Sequence, residues 1–447
     1  MSGNGKKSRR SFLKTAIQAG MAPMVVSAAT LGRGGAVAAN NRIGIGFIAF
    51  GDRVNGGLFG DFKQHDVCEF IAAADVDAAH RYNFVKKMEK PVPTYNDYRD
   101  LLDRRDIDAV VIATPDHWHA TALIHSAQAG KDIYCEKPLT LTIEEGKSCV
   151  NAVRNAGVVF QTGSQQRSDE RFRKACELVR NGYIGKLVQV DTYIGGAPTG
   201  GTDPDTDPPP GLDWDRWLGQ APVVPFRKTR CHYEFRWWYA YSGGKMTDWG
   251  AHHNDIALWG NGFERSGPIS VEGTAEFPPP GGYDTAIKFD IRYEFKDSAP
   301  VICHSEGRNG ILFTGTDGEV FVSRSEIETK PAELVHLEFK PTDTRLYKSD
   351  NHQLNFLECI KSRKDPICDI EIGHRSVTMC HLGNMAIRLG RKLQWDPDKE
   401  TIVGDEEALA WMTRPQRKGY EVPVVKARKA PSKKPAVHSR RSFMSRG

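Results

Sequence analysis

The sequence predicts an α/β chain in two unequal halves: an N-terminal domain on a parallel sheet, then a C-terminal α+β domain with an open, largely antiparallel sheet. Three observations carry this. The 447 residues exceed one ordinary core. Between residues 43 and 135, short apolar runs alternate with helical periodicities, the pattern of strands joined by crossovers. Beyond residue 270, strand-like runs follow one another with only turns between them.

Composition sets the outer limits. With 39% hydrophobic and 26% charged residues, disorder along the whole chain is excluded. The net charge of +5 sits partly at the ends, in Lys6, Lys7, Arg9 and Arg10, and in a run from Lys426 to Arg446 that holds no acid. The body is near balance, so a nucleic-acid-binding core is not indicated, while a basic tail that touches acidic surfaces stays open. The nine cysteines are scattered and form no C-x-x-C, which argues against a disulfide framework or a structural zinc site.

Residues 1–39 read as an export signal. Ser8-Arg9-Arg10-Ser11-Phe12-Leu13-Lys14 is a twin-arginine pattern, an apolar stretch runs from Ala16 to Leu31, and Ala36-Val37-Ala38 offers small residues for cleavage. The apolar run is interrupted by Gly20 and Pro23 and is short for a membrane span, and no later segment is apolar enough, so no transmembrane anchor is expected. The expected partner is the twin-arginine machinery, and the expected location is the periplasm or beyond.

Residues 40–163 form the predicted first domain. Ile43 to Ile48, Cys68 to Ala74, Asp108 to Ala113 and Asp132 to Cys135 read as strands, with helices over Tyr98–Leu102 and His119–Ala129. In such a sheet, ligands bind past the carboxyl ends of the strands, and a glycine-rich first turn lets a pyrophosphate approach the backbone. Here a G-x-G-x-x-G frame falls on Ala49, Gly51 and Val54, with only the middle glycine kept. A second frame, Gly44-x-Gly46-x-x-Ala49, lies inside the strand and is read as part of it. Asp75, at the end of the second strand, is placed to accept hydrogen bonds from ribose hydroxyls, with capping of the next helix as its alternative role. The reading is a Rossmann domain that binds NAD; nearby Arg81 leaves NADP open.

Three motifs then occur in order: Thr114-Pro115-Asp116-His117-Trp118-His119, Glu136-Lys137-Pro138, and Asp248-Trp249-Gly250-Ala251-His252-His253-Asn254-Asp255. Together they resemble the Gfo/Idh/MocA oxidoreductases (glucose–fructose oxidoreductase, inositol dehydrogenase, rhizopine catabolism) over residues 42 to 420. Gly163-Ser164-Gln165-Gln166-Arg167-Ser168 and Leu382-Gly383-Asn384 are similar to further motifs of an exported bacterial subgroup. The departures are Ala49 and Val54. The resemblance implies a nicotinamide-dependent sugar or polyol oxidoreductase with Lys137, Asp248 and His252 as catalytic set. It implies cofactor contacts at Ala49, Phe50, Gly51, Asp75, Thr114, Pro115, His119, Glu136 and Lys137, and a homo-oligomer formed through the open sheet face.

The chemistry suits these residue types. Oxidising a secondary alcohol sends a hydride to the nicotinamide and a proton to a base, while a cation stabilises the developing alkoxide. His252 suits the first task and Lys137 the second. Asp248 and His252 are four apart on a predicted helix capped by Thr247 and stopped at Gly260-Asn261-Gly262, so Asp248 is expected to orient His252 or to bond a sugar hydroxyl. Asp255 is expected to reach the other ring nitrogen, and His253 to point elsewhere. Asp116, His117 and His119 do not complete a four-ligand set, so no metal is assigned.

Residues 164–423 form the predicted substrate domain. A Pro/Gly/Asp-rich loop over 198–213 precedes an aromatic cluster from Trp214 to Tyr241, from which His232, Arg236 and Tyr241 join Asp248 and His252 as substrate candidates. Most of the tryptophans are expected in packing roles. Strands follow over Ile287–Phe295, Val301–His304, Gly310–Thr314 and Glu319–Ser323, then helices over Asn351–Ser362 and His374–Leu389 that pack back. Residues 424–447 read as a basic, disordered tail. Two other functions stay in view: an NAD-dependent glycoside hydrolase working by oxidation and elimination, and a non-catalytic binding protein. The intact Asp248/His252 pair favours plain redox over the first.

Overall fold

A computed structural model describes residues 41–428. The predicted export signal lies outside the described residues, as does the tail from residue 429 onward. Among the described residues no helix is long and apolar enough to cross a membrane.

The first sheet has six strands: β1 (Ile43–Ile48), β2 (Cys68–Ala74), β3 (Thr94–Tyr95), β4 (Ala109–Ile112), β5 (Asp132–Cys135) and β6 (Phe160–Thr162). They are all parallel, in the order β3-β2-β1-β4-β5-β6. Helices on both faces bury β1 along its whole length, hence its unbroken run of small and apolar residues. Gly44 and Gly46 serve packing: a Cβ would lie 2.1 Å from the Asp106 carbonyl oxygen at the first and 2.8 Å from Leu101 at the second. The turn after β1 puts Ala49 at φ 70°, a left-handed conformation that favours glycine. Val54 opens a π-helical turn, Val54–Leu58, and is fully buried with Phe47, Phe50, Phe59, Phe70 and Phe84. A side chain of the core thus occupies the position where the dinucleotide pattern has its third glycine.

The second sheet has nine strands. They are β7 (Leu187–Tyr193), β8 (Ser270–Glu276), β9 (Lys288–Glu294), β10 (Val301–His304), β11 (Gly310–Gly315), β12 (Glu319–Val322), β13 (Ile327–Lys330), β14 (Leu393–Asp396) and β15 (Thr401–Ile402). Their order is β13-β12-β11-β7-β10-β9-β8-β14-β15. The central β7/β10 pair is parallel and the other pairings are antiparallel. The Glu170–Arg180, Gly250–Asn261 and Ile370–Leu389 helices share the largest apolar core with this sheet.

The two halves are knitted together. The His352–Ser362 helix sends Phe356, Leu357 and Cys359 into the aromatic cluster under the first sheet. Arg363 closes that contact on Asp132 at 2.6 Å. Arg167, in the turn after β6, forms a two-bond pair with Asp255 at 2.7 and 2.8 Å; both side chains are 1% exposed. Ser376 donates to the same carboxylate, and Arg167 stacks over Trp259.

Three expectations change. The helix expected from Thr247 is two: a single turn, Lys245–Asp248, and a second helix, Gly250–Asn261, whose N-cap position is Trp249. Thr247 accepts the Gly243 amide instead of capping. The tail is ordered through residue 428: Asn151 and Asn155 donate to the Val425 and Lys426 carbonyls, and Val425 packs on the first-domain core. All nine cysteines are unpaired, as the spacing implied, and seven are buried.

Removing one half of the Arg167–Asp255 pair strands a buried charge. Arg167→Leu should cost about 3–5 kcal/mol in denaturant unfolding, and Arg167→Met combined with Asp255→Leu should recover most of it.

Candidate active site

The carboxyl ends of the parallel strands build one wall of the site. β1 delivers the turn Ala49 to Arg53, β2 Asp75, β4 Thr114 to Asp116, and β5 Glu136 and Lys137. They line a channel. The other wall is a strap from the second domain. Ala78 and Asp213 exchange main-chain bonds with Gly211 and Val76, Asn96 holds Asp213, and both Trp118 and His117 reach the Trp217 carbonyl. Tyr420 bonds Asp215 at the far edge.

Within the channel Asp75 is the organising group. It accepts the Phe50 amide at 2.7 Å, the Asp77 amide at 2.8 Å and His80 at 3.0 Å. Burial opposes its charge, but bonds from His80, Phe50 and Asp77 outweigh this and keep the carboxyl below its ordinary range. The cap of the Ala78–Met88 helix is Asp77, so Asp75 does not have the capping role. Arg81 is spent on the Asp75 carbonyl and Asn96. A dinucleotide fits this surface: Thr114 Oγ1 is buried without a partner, and Thr114 and Gly51 line the channel. His119 contributes through Nδ1, which bonds the Pro138 carbonyl at 2.7 Å and so fixes the turn that carries Lys137. The Lys137–Pro138 bond is cis.

Arg53, Glu136, Lys137, Tyr233 and Arg236 also line a second pocket, completed by Gln165, Gln166, Asp169, Phe172, Asp248, Trp249, His252 and Arg324. The three expected catalytic residues meet here. Lys137 Nζ donates to Asp248 Oδ1 at 2.8 Å and to the Asp248 carbonyl at 3.0 Å. Burial opposes ionisation of Asp248, yet Lys137, Arg236 and Lys245 hold it down at about 2. His252 is buried with Nδ1 unpartnered; burial first, then Lys137 and Arg324, push its pKa well below the usual histidine range. The imidazole is therefore neutral and able to accept a proton.

Several assignments are corrected. Asp248 pairs with Lys137 rather than orienting His252, because the break at Trp249 puts the two on different helices. Asp255 is consumed by Arg167 and Ser376. His253 turns away to Gln166 and Asn309, as expected. His232 lines the channel rather than the second pocket, bonded to Asp77 and stacked on His80. Tyr241 is 1% exposed in aromatic packing against His117 and Trp217, away from both pockets. Arg236 is where it was expected, 3.5 Å from Asp248. Asp116 bonds Ser242, and His117 and His119 bond separate carbonyls, so this trio does not converge on a metal. Asp77, His80 and His232 are closer together, but bonds to each other, to Asp75 and to a helix N-terminus already engage one ring nitrogen of each histidine and both Asp77 oxygens. The sequence reading missed Arg53, Asp169, Tyr233 and Arg324. Arg53 carried a signal, two residues past Gly51; Arg324, in a turn after β12, carried none.

A parallel sheet with a covered channel at its strand ends, joined to a polar pocket holding a lysine, an ionised aspartate and a neutral histidine, defines a dinucleotide-dependent oxidoreductase. The chain belongs to the Gfo/Idh/MocA oxidoreductase family: residues 43–164 match its NAD-binding Rossmann fold and residues 199–422 its C-terminal alpha/beta domain. It is 28% identical over 305 residues to the uncharacterized oxidoreductase YrbE of Bacillus subtilis, spanning 66% of this chain and 76% of that protein. It is 32% identical over 164 residues to myo-inositol 2-dehydrogenase of Thermotoga maritima, spanning 36% of this chain and 44% of that one. Its fold matches the crystal structure of an aldose-aldose oxidoreductase from Caulobacter crescentus with a TM-score of 0.61 at 18% identity, over 79% of this chain and 99% of that one.

Two titrations of the same sign follow for stability. Asp248 protonates near 3.8 when unfolded and about 2 when folded, so its contribution, on the order of 2 kcal/mol, is complete above the higher value and lost as pH falls through the lower. Asp248→Asn should remove that part of the slope in acid denaturation. The unfolded chain protonates His252 near 6.5 while the folded chain keeps it neutral, so stability also declines as pH drops below that value, and His252→Asn should flatten this second segment.

Proposed function

We propose that this protein oxidises a secondary alcohol of a sugar or polyol, using an NAD that it retains between turnovers. The observation that carries the reading is the position of Lys137, whose side chain lines both the channel and the second pocket and is held there by Asp248. When bound, NAD supplies the hydride acceptor. A substrate hydroxyl beside Lys137 is acidified by the ammonium, which also stabilises the alkoxide as the C–H bond weakens. His252 takes the hydroxyl proton. Its depressed basicity makes that transfer favourable only as the hydroxyl acidifies, which couples proton loss to hydride loss. Asp248 keeps Lys137 aimed. The contacts proposed for the cofactor are Ala49, Gly51, Asp75, Thr114, Pro115, Glu136 and Lys137, which line the channel, whereas Phe50 is wholly buried in the aromatic core and His119 acts behind the channel on the Pro138 carbonyl; Arg236 is proposed to contact substrate.

Retention of the cofactor is supported by the strap over the channel and by the twin-arginine pattern at Ser8–Lys14, since a protein exported folded carries its nucleotide with it. We place the mature protein in the periplasm or beyond, associated through the open face of the nine-stranded sheet. The alternation in β9, with Lys288 and Asp290 exposed, leaves that face partly open.

Mass spectrometry of the purified protein should find nicotinamide dinucleotide, and a sugar or polyol should raise the absorbance of the reduced ring. An empty protein, or no reduction by any member of a broad panel, would refute the reading. His252→Asn should keep the nucleotide and lose about 10²–10⁴-fold in kcat. Protein recovered from the periplasm should begin just after Ala38 or Ala39, and its mass by light scattering should be a multiple of the chain's; a full-length N-terminus or a monomer would remove the respective part.

A further inference from the structure

The second pocket carries one more cation than acid. Arg53, Lys137, Arg236 and Arg324 face Glu136, Asp169 and Asp248. Most of these charges are already committed. Arg53 bonds Glu136 at 2.8 Å, Lys137 bonds Asp248 at 2.8 Å, Arg236 lies 3.5 Å from Asp248, and Asp169 is taken by Arg171.

Arg324 is different. It lines the second pocket and not the channel, so it is not positioned to neutralise a dinucleotide's phosphates. Its guanidinium lies over the Trp249 ring, 4.6 Å from the centroid, a cation–π contact that holds it in the pocket. Its Nε and Nη2 converge on a single neutral oxygen, Gln166 Oε1, both at 3.3 Å. Those two N–H groups form the fork that binds a carboxylate with two parallel bonds, and well-formed N–H···O bonds are nearer about 2.9 Å. The amide oxygen thus holds, weakly, a position that a carboxylate would fill with charge.

We propose that the substrate is an acidic sugar, a uronate, whose carboxylate is received by Arg324 while its ring hydroxyl meets Lys137 and His252. With Asp169 committed to Arg171, the pocket's cations outnumber its acids, which favours an anion, and the two-bond fork of Arg324 assigns a monoanionic carboxylate to it. A planar carboxylate also suits the guanidinium better than a tetrahedral head. This rests on the oxidoreductase reading for the hydroxyl end alone.

Calorimetry on the nucleotide-loaded protein tests it with D-glucuronate and D-galacturonate against D-glucose, D-galactose and glucose 6-phosphate. The uronates should bind on the order of tenfold or more tightly than their neutral counterparts. Arg324→Gln should abolish that preference and Arg324→Lys should keep part of it, with thermal melts confirming that both variants fold. Equal or tighter binding of the neutral sugars, no binding of either uronate, or a preference that survives Arg324→Gln overturns the proposal. Tightest binding by the phosphate ester overturns the monoanion assignment. The nicotinamide absorbance, read in parallel, separates the two ideas. Uronates that bind with the stated preference and never reduce the ring sink the redox reading alone; neutral sugars that reduce it while uronates fail to bind sink this one alone.

Discussion

The pair between Lys137 and Asp248 crosses the seam between the two sheets, and the site depends on it. Lys137 comes from the end of a parallel strand and Asp248 from a helical turn of the second domain, so neither domain alone contains the pair. Both side chains are largely withdrawn from solvent, and their direct contact offsets the desolvation that the junction of the two domains imposes on each. The pair forms only where the two domains meet, the same junction that joins the channel to the second pocket. The Arg167–Asp255 pair acts on the same relation from behind, joining the turn after β6 to the helix that bears His252. Two ionic contacts thus set the position of the imidazole against the strand ends.

That electrostatic frame also accounts for the state of His252. Burial disfavours the imidazolium first, and Lys137, Arg324 and Arg53 add to it. Asp248 is ionised for the complementary reason. The same cations lower the pKa of both groups, which leaves one a neutral base and the other a fixed anion paired with Lys137.

Much of the first sheet was legible because its strands are buried on both faces and read as unbroken apolar runs bounded by turns; β1, β2 and β5 fall where the pattern puts them. Lys137, Asp248 and His252 were legible as motif members, but their pairing was not. The periodicity around Asp248 is continuous through Trp249, while the backbone divides there, and nothing in side-chain spacing reports that break. His232 and Tyr241 were chosen for aromatic company, which is also the signature of packing, and packing is what claims Tyr241. Arg324 was beyond reach for a different reason: it meets the site only because β12 is laid in the sheet next to β11 and not far from the Gly250–Asn261 helix, a relation set by long-range pairing. Short edge strands such as β3 and β15, two residues each, are below what periodicity resolves.

The altered phosphate turn shows how a weakened motif persists. Ala49 in a left-handed conformation costs roughly 1–2 kcal/mol relative to a residue without a Cβ. Such strain survives when the surroundings over-determine the backbone. Here the Ala49 amide is held by the Ala74 carbonyl at 2.8 Å and the next amide, Phe50, by the Asp75 carboxylate at 2.7 Å. Phe50 and Val54 then anchor both sides of the turn in an aromatic core that a glycine could not have joined. The glycine pattern obtains its turn from backbone freedom; this chain obtains it from constraint, with Asp75 serving the fold and facing the channel at once. Conformational freedom has been exchanged for a turn held by its hydrogen bonds and its aromatic anchors.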